Sequence, residues 1–304
     1  MQPIPAALPF QQRLSECARL VEERLHLWLA ERADADGVPP RLAEAMRYAV
    51  LGGGKRLRPF LVLECARLCG ARDEGAVNAA AALECVHCYS LVHDDLPAMD
   101  DDDLRRGRPT VHRAFDEATA ILAGDTLLTL AFEIIAAPET HEQGAVRAEL
   151  GLALARAAGG AGMAGGQMLD LEAPGRELGE ADILRLQAMK TGALIRFGCE
   201  AGAILGGADT EKREALRLYG AKLGQAFQLA DDMLDVEGDV AVVGKATAKD
   251  ADAGKATLIG LIGMAEARTR LRQLEVEACA ALAPFGESAR VLIEAAAFVA
   301  NRSH

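Results

Sequence analysis

"ECVHCYSLVHDDLPAMDDDDLRRGRPT" spans Glu84 to Thr110, and its two halves obey different rules. As far as His93 the residues are largely apolar and suit a buried helix. From Asp94 to Asp103 the chain sets six aspartates in ten residues, then turns to Arg105, Arg106 and Arg108. Fixed carboxylates repel one another, so such a run is either a solvated surface turn or a place where divalent cations sit.

Three features weigh towards cations. A second cluster, "FQLADDMLD", holds Asp231, Asp232 and Asp235. On a helix Asp231 and Asp235 lie about 40° apart, with Gln228 on the same side. Both clusters directly follow apolar helical sequence, "ECVHCYSLVH" and "LGQAFQLA", so each is expected at the end of a buried helix rather than on a loop tip. Cations also stand where phosphates would need them. Arg105 and Arg106 follow the first cluster, and "GGGKRLRP" offers Lys55, Arg56 and Arg58 before a helix beginning near Pro59. Glycine permits close backbone approach, and arginine grips phosphate bidentately. Lys190 in "MKTG" and Lys245 and Lys255, each in "GKAT", add candidates. Asp94 and Asp100 are six residues apart across Pro97, and spacing alone does not bring them together.

Composition bounds the rest. The 304 residues are 51% hydrophobic and only 4% aromatic, rich in alanine, leucine and glutamate, which predicts an all-α protein. A formal net charge of −12 argues against nucleic acid and anionic membranes as partners. The opening "MQPIPAALPFQQRL" lacks a leader pattern, and no uninterrupted apolar run reaches the roughly 18 residues of a spanning helix, so a soluble cytoplasmic protein without a membrane span is expected. The seven cysteines lie in helical patterns. Cys85 and Cys88 read as buried thiols, with a zinc or redox pair as the alternative.

Helical segments are predicted over Arg13–Leu29, Pro40–Leu51, Ala76–Leu96, Ala118–Ala137, Val146–Leu171, Glu180–Leu205 and Lys212–Val236, with a last pair within Thr257–Asn301. Glu237 to Ala256 is too polar for a core helix and reads as a loop or lid. Glycines at 159, 160, 162, 165 and 166 fit either close helix packing or a wall beside a ligand. No linker or repeat divides residues 1–304, so one helical domain is expected.

The motifs "GGGKRLRP", "ECVHCYSLVHDDLPAMDDDDLRRGRPT", "GGQMLDL", "MKTGALI", "FQLADDMLDVEGD" and "GKATAKDADAGKAT" occur in the order found in the trans-isoprenyl diphosphate synthases, which the chain resembles from about Gly52 to Thr257. The bacterial farnesyl diphosphate synthases are the most similar branch. This resemblance implies the isoprenoid synthase fold, long helices around a deep cavity, usually in a homodimer. It implies about three Mg²⁺ ions, with Mn²⁺ as a possible substitute, held by Asp94, Asp100 and Asp231. Asp95, Asp235, Gln167 and Asp170 would support them.

Isopentenyl diphosphate would meet Lys55, Arg58, His87 and Arg106. The allylic diphosphate, dimethylallyl or geranyl, would meet Arg105, Lys190, Lys245 and Lys255. The reaction implied is head-to-tail condensation through a carbocation-like allylic carbon, with the Lys190 carbonyl, Thr191 and Gln228 as neutral dipoles beside it and the diphosphate taking up the proton. Tyr89 and Ser90 stand at the positions that set product length, and with the insertion in "DDLPAMD" they resemble the fifteen-carbon type; a core tyrosine is the other reading. "NRSH" keeps Arg302 but lacks the lysine-rich tail of relatives. Competing readings are a geranyl or geranylgeranyl diphosphate synthase, a terpene cyclase, and a non-enzymatic acidic helical metal-binding protein. The cyclase would not need "GGGKRLRP" or His87, and no EF-hand loop supports calcium binding.

Overall fold

The computed structural model describes residues 9–35, 37–241 and 257–301. Lys245, Lys255, most of the expected lid and Arg302 lie outside them. The all-α expectation holds: the described strands are a two-residue pair. The chain divides into two compact units, Met1–Leu152 with Ile204–Gly207 and Ala153–Ala203 with Ala208–His304.

The first unit is built around α4 (Asp73–Asp94), which packs against α1 (Phe10–Ala35), α2 (Pro40–Val50), α3 (Leu57–Leu68) and α6 (Glu117–Ala136). Every residue of α4 from Gly75 to Val86 is buried, so the helix is enclosed all round rather than amphipathic. Its alanines at 79–82 carry little bulk and let neighbours close in. Two charges that the apolar pattern would not place inside are neutralised there. Glu84 pairs with Arg56, and Glu64 of α3 takes Arg13 Nε at 2.5 Å. Between α4 and α6 run the hairpin β1 (Leu104–Arg105) and β2 (Arg108–Pro109) and the short α5 (Val111–Ala114). By length and composition α6 could cross a membrane, but Asp125 and Glu133 interrupt it and half of its apolar window is buried within the protein.

Where one helix was expected over Val146–Leu171, there are two, α7 (Gly144–Ala158) and α8 (Met163–Leu171). The glycines are the reason. A Cβ at Gly162 would overlap the Ala157 carbonyl, and one at Gly166 would overlap the backbone of Lys190. Close packing therefore explains these two positions.

In the second unit α9 (Glu180–Gln187) continues through a π-turn, Ala188–Gly192, into α10 (Ala193–Leu205). The long α11 (Thr210–Ala241) packs on α12 (Leu258–Ala281) and α13 (Arg290–Ala300). Buried Tyr219 of α11 donates to the Leu292 carbonyl at 2.8 Å. The first residues of the expected lid, up to Ala241, continue α11.

Candidate active site

The first acidic cluster begins where α4 ends. Asp94 is the last helical residue, so its carboxylate lies where the helix dipole is already negative. That placement is unfavourable without a cation. The following turn answers the question that spacing left open. The Asp100 amide donates to the Asp94 carbonyl at 2.8 Å, and the Asp102 amide to the Asp95 carbonyl at 3.2 Å, so the chain folds back and sets Asp100 beside Asp94. Both side chains are partly exposed. Asp95 differs: it is buried and accepts from Arg105 Nε at 2.7 Å. Burial raises its pKa, opposed by Arg105. Its geometry is that of an anchor for Arg105.

The basic wall comes from two loops. Arg56, Asp101 and Arg106 are the non-glycine residues with positive φ among those described, and all three lie in or beside this wall. Backbone strain of this kind gathers at functional sites. Arg106 and Gly107, with φ of 53° and 75°, form the turn of the hairpin, and Arg106 donates to the Gly53 carbonyl. Gly54 lies so close to the Arg106 guanidinium that a Cβ there would come within 2.7 Å of it. Arg58 Nη1 lies 3.5 Å from His87 Nε2. Burial, then the charges of Arg58, Arg106, Arg56 and Arg105, hold the His87 pKa well below the usual histidine range. The imidazole is therefore neutral near pH 7, and can bond an anion without adding a charge. Arg56 is not part of the exposed wall, because its guanidinium is buried against Glu84 and the Val50 carbonyl. Lys55 is exposed.

Tyr89 stands near enough to Asp94 for that carboxylate, after burial, to raise its pKa. Its ring meets His93 edge-on, centroids 5.8 Å apart, and His93 Nε2 lies 3.1 Å from the Ile121 carbonyl of α6. Gly124 leaves no room for a side chain beside the His93 ring. We expect Gly124→Ala to displace His93 and, through it, Tyr89, costing about 1–3 kcal/mol of stability as overpacked sites do. Urea unfolding would measure the loss, and product sizing would register the moved tyrosine.

Cys85 and Cys88 are buried, and burial pushes the Cys88 thiol up to about 12 and Cys85 well above its ordinary value. Protonated, enclosed thiols favour the packing reading over zinc or redox chemistry.

The second cluster is organised around the π-turn, a feature often found at functional sites. Gly166 of α8 and Gly224 of α11 let their helices approach it; a Cβ at Gly224 would lie 3.0 Å from Gly192 Cα. Lys190 Nζ bonds Asp170 at 2.5 Å, and Thr191 Oγ1 donates to Gln228 Oε1 at 2.9 Å. Gln228 in turn donates to Asp232 at 2.9 Å, and Gln187 donates to its other oxygen at 2.8 Å. These residues line a pocket with about 810 Å³ of empty space, shared with Asp235 and Thr257. Gln167 is buried with neither end of its amide hydrogen-bonded to a described residue. A buried amide of this kind calls for water or ligand.

Asp232 was named in the second cluster but given no role from sequence, and Gln187 was not singled out. The signal was available for Asp232, four residues after Gln228 and about 40° round the helix from it. Burial raises the Asp232 pKa to about 6. The unfolded carboxyl titrates near 3.8, so the folded state holds the extra proton between these values. Stability of the metal-free protein should then be greatest below about pH 4 at this site and decline as pH rises to 6, by on the order of 2 kcal/mol. Comparing urea unfolding of the protein with Asp232→Asn across that range isolates the contribution; parallel curves would contradict it.

Most of the expected residues thus gather within their own units: Asp94, Asp100, Arg105, Arg106, Arg58 and His87 in one, Asp170, Lys190, Thr191, Gln228 and Asp235 in the other. Asp231 is partly buried on α11 but is not among the residues lining the second pocket. Ser90 donates to the His87 carbonyl at 2.9 Å. Among the described residues no three His, Cys, Asp or Glu side chains form a metal cage. Protein oxygens of this kind can hold Mg²⁺ only together with water or phosphate oxygens, the usual manner for that ion.

Residues 39–281 match the polyprenyl synthetase family model. Farnesyl diphosphate synthase of Escherichia coli (strain K12) is 44% identical over 272 residues, covering 88% of this chain and 89% of its own. Farnesyl diphosphate synthase of Geobacillus stearothermophilus is 42% identical over 267 residues, covering 88% and 89%. A crystal structure of an FPP/GFPP synthase from Zymomonas mobilis superposes with a TM-score of 0.84 at 42% identity, over 96% of this chain and 98% of that one. With the motifs in order and the match running along nearly its whole length, the chain belongs to the polyprenyl synthetase family.

Proposed function

We propose that the chain is a farnesyl diphosphate synthase: it condenses isopentenyl diphosphate head to tail with dimethylallyl and then geranyl diphosphate, releasing diphosphate at each step. The observation that carries this reading is likeness along most of the chain to farnesyl diphosphate synthases, with both aspartate clusters and Lys190-Thr191 in place. In this reading the two units work as one synthetase domain, in a cytoplasmic homodimer.

Asp94 and Asp100, joined by a backbone hydrogen bond at the negative end of α4, carry hard oxygen donors that suit Mg²⁺, and Asp231 would hold a third ion. Bound there, the ions would neutralise charge on the departing diphosphate. The chain's own residues do the remainder. Arg105, oriented by buried Asp95, and Lys190, released from Asp170, bind the allylic diphosphate with Lys245 and Lys255. Arg58, neutral His87, Arg106 and Lys55 bind isopentenyl diphosphate. Thr191 and Gln228 present oxygens to the allylic carbon, neutral acceptors that stabilise positive charge without being alkylated. The departing diphosphate accepts the proton.

Incubation with labelled isopentenyl diphosphate and either dimethylallyl or geranyl diphosphate tests the proposal. A fifteen-carbon diphosphate is expected as the main product. A twenty-carbon product would change the chain-length assignment, and hydrocarbon made from farnesyl diphosphate alone would point to a cyclase.

A further inference from the structure

Thr110 follows the hairpin as the residue before α5, the place where a threonine ordinarily caps a helix by accepting from a backbone N–H. Its side chain makes no such bond here. Buried Thr110 instead turns its hydroxyl back onto the acidic turn, donating to the Asp102 carbonyl at 2.8 Å, with the Asp103 carbonyl at 3.4 Å. Its amide donates to the Asp103 carbonyl at 3.0 Å, so one residue holds two consecutive carbonyls of that turn.

The hydroxyl has a single proton, and the shorter bond commits it to Asp102. The ring of buried His112, whose Nδ1 lies 3.2 Å from Thr110 Oγ1, is then the donor in that contact. Its Nε2, buried without a hydrogen-bond partner among the described residues, is an acceptor rather than a stranded N–H. A chain of bonds thus runs from His112 through Thr110 to Asp102, whose own amide donates to the Asp95 carbonyl at 3.2 Å.

Asp100 and Asp102 flank Asp101, which is held at φ 51°, a left-handed conformation that a non-glycine residue keeps where its surroundings fix it. The aspartates from 94 to 103 repel one another, so an unrestrained turn would open. The Arg113–Asp103 pair, also at this end of the turn, is exposed on both sides, where an ion pair contributes little. Thr110 acts from a buried position.

We propose that Thr110, oriented by His112, is a positioning residue for the metal-binding turn: its hydroxyl holds the Asp102 carbonyl, and so keeps Asp100 at the end of α4 before an ion arrives. Neither side chain touches the ion or the substrate in this assignment. The inference rests on the reading that Asp94 and Asp100 bind Mg²⁺.

Thr110→Val keeps the shape of the side chain and the amide bond to Asp103 while removing the hydroxyl, and Thr110→Ser restores it. Calorimetry with a thiolo analogue of geranyl diphosphate, which binds without reacting, gives the Mg²⁺ concentration at which half of the metal-dependent tightening is reached. Thr110→Val should raise that concentration about ten-fold or more, and Thr110→Ser should return it to within about three-fold of the unaltered protein. In turnover the same shift should appear in the Mg²⁺ requirement, while saturating Mg²⁺ restores kcat and the KM for isopentenyl diphosphate stays within about three-fold. A threonine that only stabilised the fold would leave the Mg²⁺ requirement where it was. His112→Leu, which removes the donor to the hydroxyl, should raise the requirement about three-fold or more, and it decides the matter should Thr110→Val not fold. An unchanged requirement in these variants, no recovery in Thr110→Ser, or an equal rise in the KM for isopentenyl diphosphate would overturn the proposal. A metal effect that is present in the unaltered protein and intact in Thr110→Val sinks this proposal alone; no metal effect in the unaltered protein sinks the reading of Asp94 and Asp100 with it.

Discussion

Asp94→Ala is expected to lower turnover by about a thousand-fold or more, some 4 kcal/mol of transition-state stabilisation, while leaving the fold intact. The side chain is partly exposed at the end of α4, so its removal opens no core cavity. It also removes a negative charge from the negative end of a helix, which if anything stabilises the apo protein. A residue whose loss leaves or raises stability and abolishes activity is one retained for its ligand. Asp231→Ala should behave alike, since Asp231 is partly buried on α11 and, in the proposed reading, holds a separate ion. Steady-state rates at saturating Mg²⁺, with urea unfolding of the same preparations, would measure both sides. Asp95→Ala should differ: it removes the buried partner of Arg105, leaving only Asp102 at 3.7 Å, and should cost both stability and activity.

Glu84→Ala is expected to destabilise the protein by about 3–5 kcal/mol, a melting shift on the order of 10 °C. Glu84 and Arg56 are both buried, and removal of the carboxylate leaves the guanidinium without its main counter-charge in the core. Glu22, 3.2 Å from the Arg56 Nη2, is a weaker substitute because it is more exposed. Replacing both partners with apolar residues should recover much of the loss, because the desolvation cost of two charges goes with them. Arg56 also sits at the left-handed residue that starts α3, just after the glycine loop that Arg106 contacts. The destabilised variant should therefore also show a raised KM for isopentenyl diphosphate.

The all-α class and most helices were legible because apolar segments ended at glycine, proline or acidic runs. The split between α7 and α8 was not, because Gly162 and Gly166 act through contacts with Ala157 and Lys190 that no local pattern records. The acidic clusters and basic loops were legible as charge placed against apolar helices. The meeting of Asp94 and Asp100 was not, because it depends on backbone hydrogen bonds within the turn after Pro97. Sequence likewise gave no way to separate Arg56, committed to a buried pair, from Arg58, which reaches His87. The same holds for Asp95 against Asp94: adjacent letters have opposite environments, one buried against Arg105 and one partly exposed. The ordering of Gln228 and Gln187 about Asp232 needed the distances.

In the proposed reaction both aspartate clusters grip one allylic diphosphate through divalent metal. Calorimetric titration with a non-ionising thiolo analogue of geranyl diphosphate, with and without Mg²⁺, tests this on the protein, Asp94→Ala and Asp231→Ala. Mg²⁺ should tighten binding at least a hundred-fold in the unaltered protein, and each substitution should remove most of that gain. Equal affinity with and without the ion, or a full metal effect surviving in either variant, would contradict it.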